Sequence, residues 1–148
     1  MNSIQIEKIL SNYKPLKGIY KGVFASNTIP LDMKVPFCFI ANTMREGTTG
    51  QHWIACYSDS RNTIDYFDSL AEAAPVELQH FLDQFSQVNK NTISLQSLFS
   101  EACGQYCIYF LVKRRKHSFI TVLKKLYSLP MIEREKMVKG FLQSLVTI

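Results

Sequence analysis

The sequence contains no apolar run of about 18 residues, the length a membrane-spanning helix needs, so none is expected. It also lacks a basic N-terminal stretch followed by an apolar one. The first eight residues, Met1 to Lys8, are polar and mixed in charge, and no secretory signal is expected. Without export, the four cysteines Cys38, Cys56, Cys103 and Cys107 are expected to be free thiols in a reducing, intracellular setting. No internal repeat, low-complexity tract or Gly/Ser-rich linker divides the chain. With 148 residues and 47% hydrophobic content, it reads as one domain, 1–148, that needs no disulfide or metal staple. Acidic residues are scarce at the C-terminal end. Residues 113–148 hold 9 Lys and Arg against 2 Asp and Glu, a balance of +7, whereas residues 1–112 hold 8 against 10. This asymmetry points either to solvated helix faces or to a polyanionic partner.

Periodicity gives an α+β pattern. Ile4, Ile6, Ile9 and Leu10 mark a helix over 3–12, with Asn2 or Ser3 placed to cap it. Residues 20–24 and 35–41 read as strands. A polar loop over 43–50 leads into a strand over 52–57, a turn over 58–62 and a return strand over 63–67. Pro75 opens a helix predicted over 75–88, and a short strand is expected over 92–95. Helices follow over 103–116, 118–128 and 131–146, the last two separated by Pro130. The expected architecture is a small central mixed sheet flanked by helices.

Thiol catalysis requires a thiolate, a base, a group that orients the base, and donors for an oxyanion. Cys103 stands at the start of an amphipathic helix, where the dipole and free N–H groups favour a thiolate. Gly104 leaves room for a substrate backbone, and Cys107, one turn on, reads as a buried thiol. The chain has three histidines. His80 falls on the 75–88 helix and His117 in the basic run 113–117, which leaves His52, at the opening of a strand, as the base. Asp68 ends the return strand and lies near His52 if the two strands pair. Asp65 is the rival, but it faces the other side of the sheet and reads as a solvated charge. Gln96, seven residues before Cys103, offers a neutral amide donor. Each residue alone favours a bland role, a packed thiol or a surface side chain. A zinc site from Cys103, Cys107 and His52 is disfavoured because Cys-x3-Cys on one helix lacks a second ligand pair.

The ordered strings Gly50-Gln51-His52-Trp53, Asp65-Tyr66-Phe67-Asp68-Ser69, and Gln96 followed by Ala102-Cys103-Gly104-Gln105-Tyr106-Cys107 resemble the adenovirus maturation protease (adenain) family. The resemblance covers about residues 3–112. The wider Ulp/SUMO-protease clan shares the His, Asp, Gln, Cys order but usually with a gap of six before the cysteine, so the seven here resembles the adenain branch. An aspartate at position 68, where adenain has glutamate, departs toward the Ulp branch. The compact C-terminus, departing from about residue 113, looks more like virophage and Polinton-type relatives.

The resemblance implies a papain-like fold, with His52 as base, Asp68 as orienter, Gln96 in the oxyanion hole and Cys103 as nucleophile. It implies an intracellular and virion enzyme, working in the nucleus or cytoplasm as a monomer, that cleaves viral precursor proteins during maturation. The alternative is a deubiquitinase- or SUMO-protease-like enzyme that cuts after Gly-Gly. No cofactor is needed for the chemistry, but the resemblance implies activation by DNA and a short viral peptide. Lys113, Arg114, Arg115 and Lys116, with Lys124 and Lys125, are candidate phosphate contacts. An activating peptide would pair with Cys38, Cys56 or neither.

Overall fold

The computed structural model describes residues 1–44, 52–97 and 100–146. Asn2 caps the first helix, α1 (Ser3–Ser11), through a reciprocal pair of bonds with Gln5. Strands β1 (Tyr20–Ala25), β2 (Phe37–Asn42), β3 (Trp53–Ser60) and β4 (Thr63–Phe67) follow, then α2 (Val76–Leu82) and β5 (Gln87–Lys90). Three helices complete the chain: α3 (Cys103–Arg114), α4 (Phe119–Tyr127), capped by Ser118, and α5 (Met131–Val146). The polar loop expected over 43–50 lies outside the described residues from position 45 onward.

The sheet runs in the order β1-β2-β3-β4-β5. Its outer pairs are parallel and its inner pairs antiparallel, which makes it the mixed sheet the pattern predicts. Gly22, at φ +131°, sits where the β1–β2 register shifts, a conformation open to glycine. Alternation divides the strands between two layers. Cys38, Ile40, Ala55, Tyr57 and Phe67 pack against α1, α3, α4 and α5. Phe37, Phe39, Ala41, Ile54, Cys56, Ile64 and Tyr66 pack against Leu78, Phe81 and Leu82 of α2.

Helix α3 lies at the centre. Nine of its 12 residues are buried, and Phe110 stacks on Phe67 with ring centroids 4.5 Å apart. Each fully buried large apolar side chain contributes roughly 1.5–3 kcal/mol. A helix anchored by several of them holds its first residue, Cys103, in a fixed place against β3.

Two expectations need correction. The helix predicted over 75–88 ends at Leu82, and its tail becomes β5. Gln87–Lys90 pairs with the open edge of β4, with Val88 opposite Ile64 and Asn89 opposite Asp65. Phe81 and Phe85 fit helical spacing, but ladder bonds to β4 outweigh that local signal. The strand expected over 92–95 does not form a ladder. Instead, the N–H groups of Leu95 and Gln96 both donate to the carbonyl of Ser69, at 2.7 and 3.3 Å.

Candidate active site

His52 lies immediately before β3. Its carbonyl accepts the Thr43 N–H at 2.9 Å, and its own N–H donates to Asn42 Oδ1 at 3.4 Å. Both contacts fix it to the end of β2. The hairpin of β3 and β4 then brings Asp68 alongside, because Ala55 pairs with Phe67 and so sets the end of β4 beside the start of β3. His52 Nε2 lies 2.6 Å from Asp68 Oδ1. The carboxylate therefore fixes the proton on Nε2 and leaves Nδ1 for Cys103, which also acts on the imidazole.

These contacts shift both groups. Burial works against charge on His52, but the bonds to Asp68 and Cys103 outweigh it and push the imidazole up to about 10. Burial alone would raise the Cys103 thiol. The bond from His52, the backbone N–H groups of Trp53 and Gly104, and the imidazolium charge overcome that and hold it below the ordinary thiol value. Both shifts favour a thiolate on Cys103 facing an imidazolium on His52. Cys107, one turn further on, is fully buried and pushed well up, first by burial and then by the charge of Cys103. Cys38 and Cys56 are buried free thiols, and burial raises both. No group of three or more metal-ligating side chains forms among the described residues.

Asp68 is 2% exposed and closely held. Its Oδ1 also accepts the Leu70 N–H at 2.8 Å, and Oδ2 accepts that of Glu72 at 3.2 Å. Asn91, just beyond β5, brackets its backbone: the Asp68 N–H donates to Asn91 Oδ1 at 3.0 Å, and Asn91 Nδ2 donates to the Asp68 carbonyl at 2.6 Å. Asn91 was invisible to sequence reasoning, since its role depends on the unforeseen β5 pairing.

Gln96 is 4% exposed. The Ser69 hydroxyl donates to its Oε1 at 2.6 Å, which sets the amide orientation and leaves Nε2 as the donor. One Nε2 hydrogen goes to the Ser100 carbonyl at 3.0 Å. The second has no partner among the described residues, on a side chain seven residues before Cys103. Ser69, adjacent to Asp68, thus serves the Gln96 side of the site, a role no local pattern marks.

Gly104 plays a different part from the one expected. A Cβ there would lie 3.3 Å from both Met1 Cβ and Trp53 Cδ1, so the position is small because those side chains pack on it. Trp53 is 3% exposed and donates from Nε1 to the Met1 carbonyl at 3.1 Å, in keeping with a packing role.

Asp65 is not a solvated charge. It is 1% exposed, and Oδ2 accepts from Arg114 Nε at 2.6 Å while Oδ1 accepts from Asn89 at 2.9 Å. Lying one residue off the Ile64/Tyr66 face, it points toward α3 and meets the end of that helix. This also corrects the reading of Arg114 as a phosphate contact. Its guanidinium is held by Asp65 and by Asp59 at 3.2 Å, and lies 4.5 Å from the Tyr57 ring centre. Lys113 sits over Phe141 at 4.6 Å, and Arg115 donates to the Pro15 carbonyl at 3.1 Å. Lys116, Lys124 and Lys125 are exposed.

No protein-family model matches the sequence. The protease of porcine adenovirus A serotype 3 is 32% identical over 91 residues, half of this chain and 45% of that protein. The chain therefore spans less than half the length of that relative. The crystal structure of the ASFV pS273R protease superposes with a TM-score of 0.62 at 14% identity, covering 93% of this chain and 65% of that one. Its selenomethionine form gives 0.53 at 17%, covering 91% and 64%. The α+β fold matches that of the ASFV pS273R protease. The resemblance to the adenovirus protease thus stands on an aligned relative as well as on the motifs around His52, Asp68 and Cys103.

Proposed function

We propose that the chain is a viral cysteine endopeptidase that cleaves precursor proteins during virion maturation. The observation that carries this reading is the set at the start of α3: His52 bonded to a buried Asp68, with Cys103 near enough that the imidazole lowers its thiol. The Cys103 thiolate attacks the scissile carbonyl carbon, and the carbonyl π electrons move to oxygen. The free N–H of Cys103, in the first turn of α3, and the second Nε2 hydrogen of Gln96 receive that oxyanion. On collapse, the C–N bond breaks and His52 gives its proton to the leaving amine, which leaves a thioester on Cys103. Neutral His52 then takes a proton from water as the oxygen attacks the thioester. The acid product departs and the thiolate–imidazolium pair returns. Asp68 steadies the imidazolium through each cycle.

The test is cleavage of a co-expressed capsid precursor by wild type and by Cys103→Ala. Cleavage by wild type alone supports the reading, and cleavage by neither, or by both, contradicts it. Labelling of Cys103 by a ubiquitin- or SUMO-derived electrophile would move the substrate to Gly-Gly conjugates. A DNA partner would now rest on the exposed Lys116, Lys124 and Lys125 rather than on Arg114. Binding through them would fall steeply between about 50 and about 200 mM salt, and a flat response would exclude it.

A further inference from the structure

Two adjacent side chains of α5 reach the two ends of the segment between Gln96 and Cys103. Arg134 is 8% exposed. Its guanidinium donates to the carbonyls of Leu95 at 2.6 Å, Leu126 at 2.6 Å and Leu129 at 2.9 Å. Leu126 and Leu129 lie at the end of α4, where carbonyls lack helical partners and a cation is favoured. Leu95 immediately precedes Gln96. The neighbouring Glu135 accepts the Ser100 hydroxyl proton on Oε1. That hydroxyl oxygen accepts the N–H of Ala102, the residue before Cys103, at 3.2 Å. The Ser100 carbonyl, in turn, accepts the Gln96 amide. One turn of α5 thus holds the backbone beside the oxyanion donor and the serine that touches both that donor and the approach to the nucleophile.

We propose that Arg134 and Glu135 are positioning residues that set the placement of the Gln96 amide relative to Cys103, and so the strength of the oxyanion site. Neither touches substrate. The proposal rests on the protease reading and assigns a catalytic use to α5, in the part of the chain where the motifs run out. A displaced amide still folds and still leaves the His52–Cys103 pair intact. The loss should therefore appear only in reactions that build an oxyanion.

Two reactions of Cys103 separate these effects. Hydrolysis of p-nitrophenyl acetate passes through an oxyanion twice. Alkylation by iodoacetamide is a displacement at carbon that forms none. Glu135→Ala should lower kcat for the ester about tenfold, with KM little changed and alkylation unaffected. Gln96→Ala should lose about 10²–10³-fold. The double variant should lose no more than Gln96→Ala alone, because the donor that the clamp positions is already gone. Arg134→Lys keeps the charge but cannot reach three carbonyls, and should repeat the Glu135→Ala pattern. If that variant does not fold, the Glu135–Gln96 cycle still decides. Unchanged kcat in Glu135→Ala, additive losses in the double variant, or a parallel fall in alkylation would each overturn the proposal. A wild type that neither hydrolyses the ester nor alkylates at Cys103 would instead contradict the protease reading, and the clamp with it.

Discussion

The two ends of α3 meet the β3–β4 hairpin through opposite charges. At the N-terminal end, the Cys103 thiolate faces His52 and Asp68; at the C-terminal end, Arg114 faces Asp65 and Asp59. Both arrangements follow the helix dipole, an anion at the start and a cation at the finish. The carboxylates lie three positions apart in the chain and are almost equally buried, at 1% for Asp65 and 2% for Asp68. What differs is the partner. Arg114 carries a permanent charge, so its pair can only join two layers. His52 gains and loses a proton and keeps 17% of its side chain open to solvent, so its pair can turn over. Access and a titratable partner, rather than the carboxylate itself, separate chemistry from architecture here.

Asp68→Asn breaks the catalytic end most severely, apart from loss of Cys103 itself. The carboxylate raises His52, and His52 lowers Cys103. Removing it should bring the imidazole down from about 10 and the thiol up, so alkylation at pH ~6 falls. Turnover should drop about 10²–10⁴-fold as the imidazole loses its orienter. Gln96→Ala should lower peptide turnover about 10²–10³-fold while leaving alkylation of Cys103 at the wild-type rate. Equal loss in both reactions would place Gln96 in the scaffold instead.

At the other end, Arg114→Met should cost about 3 kcal/mol of stability, measured by denaturant unfolding, because it strands Asp65 in the interior. Turnover per folded molecule should stay within about twofold, and a collapse there would show that the two ends are not independent. Asp65→Asn should cost less. Arg114 keeps Asp59, and burial already pushes the Asp65 carboxyl up despite its bonds to Asn89 and Arg114.

The sequence carried the parts of this comparison unevenly. His52 and Cys103 were legible only through the ordered set His52, Asp68, Gln96 and Cys103, since each alone favours a bland role, whereas the α+β pattern followed from periodicity. Asp68 was legible through the hairpin. Asp65 was misread because its partner, Arg114, lies on an element 49 residues away, and proximity to a turn suggested solvent. Asn91 and Ser69 escaped notice because an amide bracketing a backbone, or a hydroxyl orienting an amide, follows no spacing rule. Their roles exist only once β5 has paired with β4 and the 94–96 segment has closed on Ser69. Short edge strands of polar residues such as Gln87–Lys90 owe their form to a neighbour's free edge, which local propensity does not record.

The most direct test is the pH dependence of alkylation by iodoacetamide, with each modified cysteine identified by mass spectrometry. Cys103 should react at pH ~6, with an acid limb below the ordinary thiol range near 8.5, while buried Cys107 stays unmodified. The thiolate–imidazolium plateau should persist until His52 loses its proton at about 10. A Cys103 that becomes reactive only through the ordinary thiol range, tracking a free cysteine, would contradict the assignment of Cys103 and His52 as nucleophile and base.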